Sequence, residues 1–261
     1  MNSAPTDLKR APVLGIPIAV ANYESVMDWM DARIAANRPA SVTAAAVNLI
    51  IAAHEYPDVM DAVLDATLVV PDGQPLVWAL HLLGQPKATR VYGPDLMAHY
   101  CARCARSQTP IYLHGGRDLA SVQLLARLLQ QRFPGLVIAG AGAEPFRTLT
   151  SEEEEEIIGQ INDSGAHVVW IGTGQPRQEL WMSRLRERLA PPLLVAVGAA
   201  FDFHAGLTPQ APPWMGRHGL EWTYRLAREP RRLWRRYARY NPRFVVAFAR
   251  QYAQHVRARR A

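Results

Sequence analysis

Short runs rich in β-branched residues alternate with helix-length amphipathic stretches along most of this chain, and that alternation limits its fold more than any other feature. The runs expected as strands are 13–20, 41–44, 67–70, 111–114, 136–139, 167–171 and 193–197. Between them, 23–36, 119–133, 151–162 and 178–189 read as helices, and in the first of these Val26, Met30 and Ile34 share one apolar face. Strand–helix alternation at this spacing means βαβ units. It predicts an α/β fold with a mostly parallel, doubly wound, Rossmann-like sheet. A chain of 261 residues has room for one such domain and a small appendage.

The alternation stops after Phe201. No further strand is expected, and 207–214 carries Pro209, Pro212 and Pro213, which reads as a linker. The rest is helical and arginine-rich. The expected boundary therefore lies near residue 205, with the Rossmann-like domain over 1–205 and a basic-aromatic helical appendage over 206–261. From Gly206 onward thirteen arginines face only Glu221 and Glu229, in a chain of net charge +6, so the part before it is net negative. Such asymmetry points to a polyanionic partner, a membrane surface or a nucleic acid.

Trp214, Trp222, Tyr224, Trp234, Tyr237, Tyr240, Phe244 and Phe248 are interleaved with these arginines, which suits helices lying on an anionic bilayer. The competing reading packs the aromatics on the main domain. The longest apolar stretches, such as 193–201, are about half the roughly 20 residues that span a bilayer. The N-terminal apolar run contains Pro12 and Pro17 and reads as a first strand, not a signal peptide. The expected compartment is the cytoplasm, with the tail lying peripherally on a membrane surface. A homo-oligomer is another way to cover the aromatic surface.

Ligands of open α/β sheets bind at the carboxyl ends of the strands. Those ends hold Thr43, Asp72-Gly73, Gly115-Gly116-Arg117, Gly140-Ala141-Gly142, Gly172-Thr173-Gly174-Gln175-Pro176, and then Gly198, Asp202 and His204. Several glycine-rich turns on one edge suit a phosphate-bearing ligand, because bare backbone N–H groups and helix N-termini bind anions. Gly140-Ala141-Gly142-Ala143-Glu144-Pro145 begins like a dinucleotide fingerprint, but Pro145 stands at the third glycine. That disfavours a nicotinamide oxidoreductase. Cys101 and Cys104 lack a second ligand pair and read as one face of a helix.

Asp72, between an apolar run and a glycine, is a candidate general base, or else a cap for the helix that follows it. Sugar transfer from a nucleotide needs such a base and compensation for a departing diphosphate. No Asp-x-Asp motif is present to carry a metal, so arginines and helix N-termini would supply that charge. No cofactor is expected. A nucleic-acid-binding role for the arginine-rich tail is the alternative of a different class.

The residues Asp72-Gly73, Arg90, Gly93-Pro94-Asp95-Leu96, Gly172-Thr173-Gly174-Gln175-Pro176-Arg177-Gln178-Glu179, Asp202, Gly219-Leu220-Glu221-Trp222-Thr223-Tyr224-Arg225-Leu226 and Glu229-Pro230 with Arg232 occur in an order and spacing that resembles the WecG/TagA/CpsF glycosyltransferase family. The likeness runs from about residue 13 to about 240. It implies an inverting, metal-independent transferase. The donor would be a UDP-sugar carrying N-acetylmannosamine, its uronic acid or glucose. The acceptor would be an undecaprenyl-diphosphate-linked sugar in cell-surface polysaccharide synthesis. It also implies a C-terminal appendage that docks on the membrane and helps complete the site, with no nucleic acid as partner.

Carried over by position, Asp72 is the catalytic base, Thr43 a polar neighbour and Arg90 an active-site cation. Gln178, with Gly172 and Gly174, belongs to the nucleotide-sugar loop. Asp202 is a substrate-binding position, and Arg225, Arg232 and Arg235 reach the diphosphate. Three departures stand out. Thr43-Ala44-Ala45 replaces the family's Thr-x-Asn, and Asn48, one helical turn later, is the candidate substitute. Gln210-Ala211-Pro212 replaces Arg-Ala-Pro. Gln175 is inserted before Pro176.

Overall fold

The computed structural model describes residues 7–145 and 147–259, without the side chains of Pro213, Arg217 and Arg232. The chain opens on an antiparallel hairpin of β1 (Arg10–Val13) and β2 (Ile16–Ala19). The sequence pattern suggested one strand over 13–20. Instead the chain reverses at Leu14-Gly15, where φ is +49° and +78°, the double positive φ of a type I′ turn. Glycine makes the second of these inexpensive.

Then follow α1 (Tyr23–Ala35), β3 (Ala40–Ala45), α2 (Val47–Glu55), α3 (Pro57–Asp65), β4 (Leu68–Pro71) and α4 (Gln74–Leu82). Next come α5 (Gly93–Ser107), β5 (Ile111–Gly115), α6 (Leu119–Arg132), β6 (Ile138–Gly142), α7 (Ser151–Asp163), β7 (Val168–Gly172), α8 (Arg177–Leu185) and β8 (Leu193–Ala196). Local chemistry sets several of these starts. Asn22 with Ser25, Asp118 with Ser121, and Thr150 with Glu153 each form a capping box that satisfies the first N–H groups of α1, α6 and α7. The acidic run 152–156 therefore occupies the positive end of α7.

One eight-stranded sheet results, in the order β1-β2-β4-β3-β8-β7-β5-β6, parallel throughout except for β1. The protein has the Rossmann-like α/β architecture that the alternation predicts. Strands β3, β4, β5 and β8 are buried along their whole length, as expected of parallel strands covered by helices on both faces. Val42, Leu68, Leu113, Trp170 and Val195 share one core with Met30 of α1 and with Leu96, Cys101 and Cys104 of α5. On the opposite face, Ile18 and Val69 meet α2 and α4, while Val169, Ile171 and Leu194 meet α7 and α8. Cys101 and Cys104 are both free and buried on one helix face. Burial pushes both thiols up, that of Cys104 to about 12.

Beyond β8 the chain is helical: α9 (Ala200–His204), α10 (Pro213–Arg217), α11 (Glu221–Arg228) and the long α12 (Pro230–Ala258). The second half of α12 lies along α2, with Phe244 and Phe248 only 5% and 9% exposed in that core. Arg239 and Arg243 pair with Glu55 at the end of α2. Gln251 donates to Pro12 O (2.7 Å) and accepts from Leu14 N (2.9 Å), fastening α12 to the β1–β2 turn. Trp214, Trp222 and Trp234 stay 54%, 42% and 52% exposed. Among the described residues no helix is long and apolar enough to cross a membrane.

Candidate active site

The carboxyl ends of β3, β4, β7 and β8, with the turn after β5, surround a cleft of about 260 Å³. One wall is the turn after β7. Gly172 ends that strand under the ring of Phe201, where an added Cβ would lie 2.4 Å from the ring. Gly174 adopts φ +86°, a conformation that glycine reaches without strain. The adjoining wall is Val197–Ala199 after β8. The N-terminus of α5 packs against it so closely that a Cβ on Gly93 would lie 3.2 Å from Val197 O. Phe203, Arg225 and Arg236 close the cleft from the C-terminal helices. A second lobe of about 140 Å³ continues beneath α11 and α12, lined by Val47, Pro75, Trp222, Tyr237 and Asn241. Asn48, Asp72, Arg225 and Arg236 line both lobes.

Asp72 sits at the end of β4. It does not cap its own helix, whose N-cap is Gly73. Its Oδ1 accepts from Gly93 N (2.8 Å) at the start of α5, bridging two elements. Enclosure pushes its pKa from 3.8 up to about 6; the nearby Glu221 carboxylate adds to the rise, while Arg90, the Gly93 N–H and Arg225 oppose it. A carboxylate so poised is a proton acceptor near neutral pH.

Arg90 is engaged on three sides. Its Nε donates to Asp72 O (2.5 Å), its Nη2 to Glu221 Oε2 (2.6 Å), and the guanidinium lies 4.1 Å from the Tyr92 ring centre. Tyr92 donates from its hydroxyl to the other Glu221 oxygen (2.7 Å). Burial first, and then the Glu221 charge, hold that phenol far above its usual range, so it remains a donor. Arg90 lines the second lobe and not the first.

Thr43 and Gln178 lie beneath the floor rather than in the cleft wall. Both are buried, and both donate to Glu179 Oε1, from Thr43 Oγ1 at 2.6 Å and Gln178 Nε2 at 2.9 Å. Gln178 Oε1 accepts from Gly198 N (3.0 Å). The network thus ties the end of β3, the start of α8 and the turn after β8 together. Glu179 is fully buried, and that burial lifts its pKa to about 7 against the two donors. Above the floor, Gln175 donates to Ala44 O (2.6 Å) and accepts from Asn48 Nδ2 (3.1 Å). Gln175 and Asn48 therefore form one amide pair on the cleft surface, beside Ala44.

Asp202 lies on the rim, where Arg117 grips it through two 3.0 Å hydrogen bonds and also donates to Thr208 Oγ1 (2.9 Å). Arg225 lines both lobes; its Nε is buried with no hydrogen-bond partner among the described residues, and its guanidinium lies 5.7 Å from the Phe203 ring centre. Arg235 lies outside the cleft, exposed, with its guanidinium 5.5 Å from the Trp234 ring centre. One residue on an α-helix is a turn of about 100°, so Arg236 faces the cleft where Arg235 does not. Arg232 is on α12, and its side chain lies outside the described residues.

The fold thus brings Asn48, Asp72, Gly172, Gly174, Asp202 and Arg225 to one cleft, with Thr43 and Gln178 supporting it from below and Arg90 beside it. Arg117, Glu179, Glu221 and Arg236 were not among the expected site residues. Among the described residues, no three His, Cys, Asp or Glu side chains cluster as metal ligands would. A family model described as Glycosyl transferase WecG/TagA/CpsF family matches residues 11–258.

Proposed function

The chain belongs to the WecG/TagA/CpsF glycosyltransferase family, and from that premise we propose that it moves a hexose-type sugar from a UDP-sugar to a polyprenyl-diphosphate-linked acceptor, with inversion and without a metal, in cell-surface polysaccharide synthesis. The observation that carries this reading is Asp72 at the junction of two lobes. The larger lobe, with the Gly172–Gly174 turn and the rim of Asp202, suits a nucleotide-sugar. The smaller, with Trp222, Tyr237, Val47 and Pro75, suits an amphipathic acceptor arriving under the C-terminal helices.

In this scheme Asp72 takes the proton of the acceptor hydroxyl as that oxygen attacks the anomeric carbon. A glycosidic C–O bond forms while the C–O bond to the diphosphate breaks, and UDP leaves with the electron pair. Arg225 and Arg236, with backbone N–H groups of the glycine turn, meet the charge that develops on the leaving group. Asn48 and Gln175 offer amide groups to sugar hydroxyls. The segment after residue 205 serves as a docking appendage. Its exposed tryptophans and arginines suit an anionic bilayer, which would hold the protein peripherally at the cytoplasmic face.

The test is a donor screen: purified protein, a synthetic prenyl-diphosphate sugar and a panel of UDP-sugars, with and without EDTA. Transfer from one UDP-sugar, unaffected by EDTA, is expected. Transfer that EDTA abolishes would overturn the metal-independent scheme. No transfer and no calorimetric binding of UDP would overturn the donor assignment.

A further inference from the structure

Glu221 is a carboxylate from α11 that reaches into the wall of the main body, with a side chain only 13% exposed. Both its oxygens are committed, one to Arg90 and one to Tyr92. Arg90 in turn meets Asp72 at the backbone carbonyl and not at the carboxylate. Asp72 keeps one oxygen on Gly93 N–H, and its other oxygen has no hydrogen-bond partner among the described residues. Each contact costs Arg90 freedom. A guanidinium with an unengaged Nη2 beside a carboxylate would swing toward it, because a direct ion pair in a partly desolvated wall is stronger than a contact with a neutral carbonyl.

We propose that Glu221 is a positioning residue: it holds the Arg90 guanidinium on the backbone side of Asp72, so that the Asp72 carboxylate stays unpaired and able to accept a proton. This rests on the reading of Asp72 as the base. It adds that the base is tuned from the C-terminal helices, so that undocking α11 would disarm Asp72 even with the sheet intact.

The charged and titratable groups around Asp72 are few. Arg90 and Tyr92 come from the segment before α5, Glu221 and Arg225 from α11, and Arg236 of α12 lines the same space. Removing the Glu221 charge acts twice in one direction. It takes a negative neighbour from Asp72, and it releases a positive one toward it. Both favour the ionised carboxylate and lower the pH at which Asp72 titrates.

The experiment is carbon-13 NMR of carboxyl-labelled aspartate in the full chain, with the Asp72 signal assigned by its loss in Asp72→Asn. The wild-type midpoint is expected near 6. In Glu221→Gln it should fall by about one pH unit or more. Tyr92→Phe removes a hydrogen bond and no charge, and should leave the midpoint within about 0.3 of wild type. An unmoved midpoint in Glu221→Gln overturns the proposal, as does a shift of equal size in Tyr92→Phe, which would mean general loosening. Sugar transfer by Asp72→Asn, measured with the donor identified in the screen, separately tests the base. Turnover retained there sinks the base reading and leaves the Glu221 clamp standing.

Discussion

Replacing Glu179 by Gln should flatten the pH dependence of this protein's stability. The carboxyl lies fully buried on α8, with two hydrogen bonds on Oε1 and, among the described residues, none on Oε2. Burial wins over those donors and lifts its pKa from 4.5 to about 7. The unfolded chain ionises the group near 4.5, whereas the folded protein keeps the proton until about 7. Its contribution is therefore fully present below about pH 4.5 and is lost as pH rises through about 7. At about 1.4 kcal/mol per pH unit, the separation is worth about 3 kcal/mol.

Glutamine has the same shape, and its carbonyl can accept from both Thr43 and Gln178. Its amide then takes the unpartnered position, at a cost of about 1–3 kcal/mol that is the same at every pH. Asp72 also titrates in this range, but it does so in both proteins and cancels from their difference. Urea unfolding at pH 5 and pH 8 isolates the effect. The stability of wild type minus that of Glu179→Gln should fall by about 2–3 kcal/mol between the two, or about 5–10 °C in the gap between melting temperatures. A gap that stays constant within about 0.5 kcal/mol, below the resolution of such extrapolations, would refute the claim that this carboxyl is held protonated by burial.

Asp72→Asn should lower kcat by about 10²–10⁴-fold. In wild type kcat/KM should climb as pH rises through about 6, since the base acts ionised, and a profile flat from pH 5 to 8 would contradict this. Gly172→Ala places a methyl 2.4 Å from the Phe201 ring, forcing the ring to move; about 1–3 kcal/mol of stability and measurable UDP affinity should be lost by denaturation and calorimetry. Phe244→Ala should cost about 3 kcal/mol of stability and speed proteolysis of α12, because the ring is 5% exposed against α2. Cys101 and Cys104 should resist a thiol reagent at pH 8 in the native protein and both react in urea.

Most of the sheet is legible, because buried parallel strands such as β4 and β8 are short continuous apolar runs between helix-length stretches. The hairpin escapes that reading. Leu14-Gly15 is an apolar pair inside an apolar run, and nothing local marks Leu14 for positive φ. The site is legible where its residues end strands, as Asp72 does, and obscure where partners meet from afar. Thr43 and Glu179 are 136 residues apart, Arg90 and Glu221 are 131, and Arg117 and Asp202 are 85. No window of sequence contains such a pair. The Gln178-Glu179 dipeptide at a helix start was the available hint of a buried acid. The choice of Arg236 over Arg235 depends on the rotation of α12, which its contact with α2 decides.

The fastening of α12 to the β1–β2 turn through Gln251 has a consequence in the order of synthesis. The turn leaves the ribosome before the rest of the sheet, and the helix that grips it follows the whole sheet. Between the end of β8 at Ala196 and the end of α12 at Ala258 lie 62 residues, roughly 3–12 s of translation at about 5–20 residues per second. During that interval a nascent chain can hold a complete sheet and an exposed Asp72, yet lack Glu221, Arg225 and Arg236. A chain with its sheet formed at that stage would have a cleft without its far wall, and its α2 would lack the cover that Phe244 and Phe248 give it.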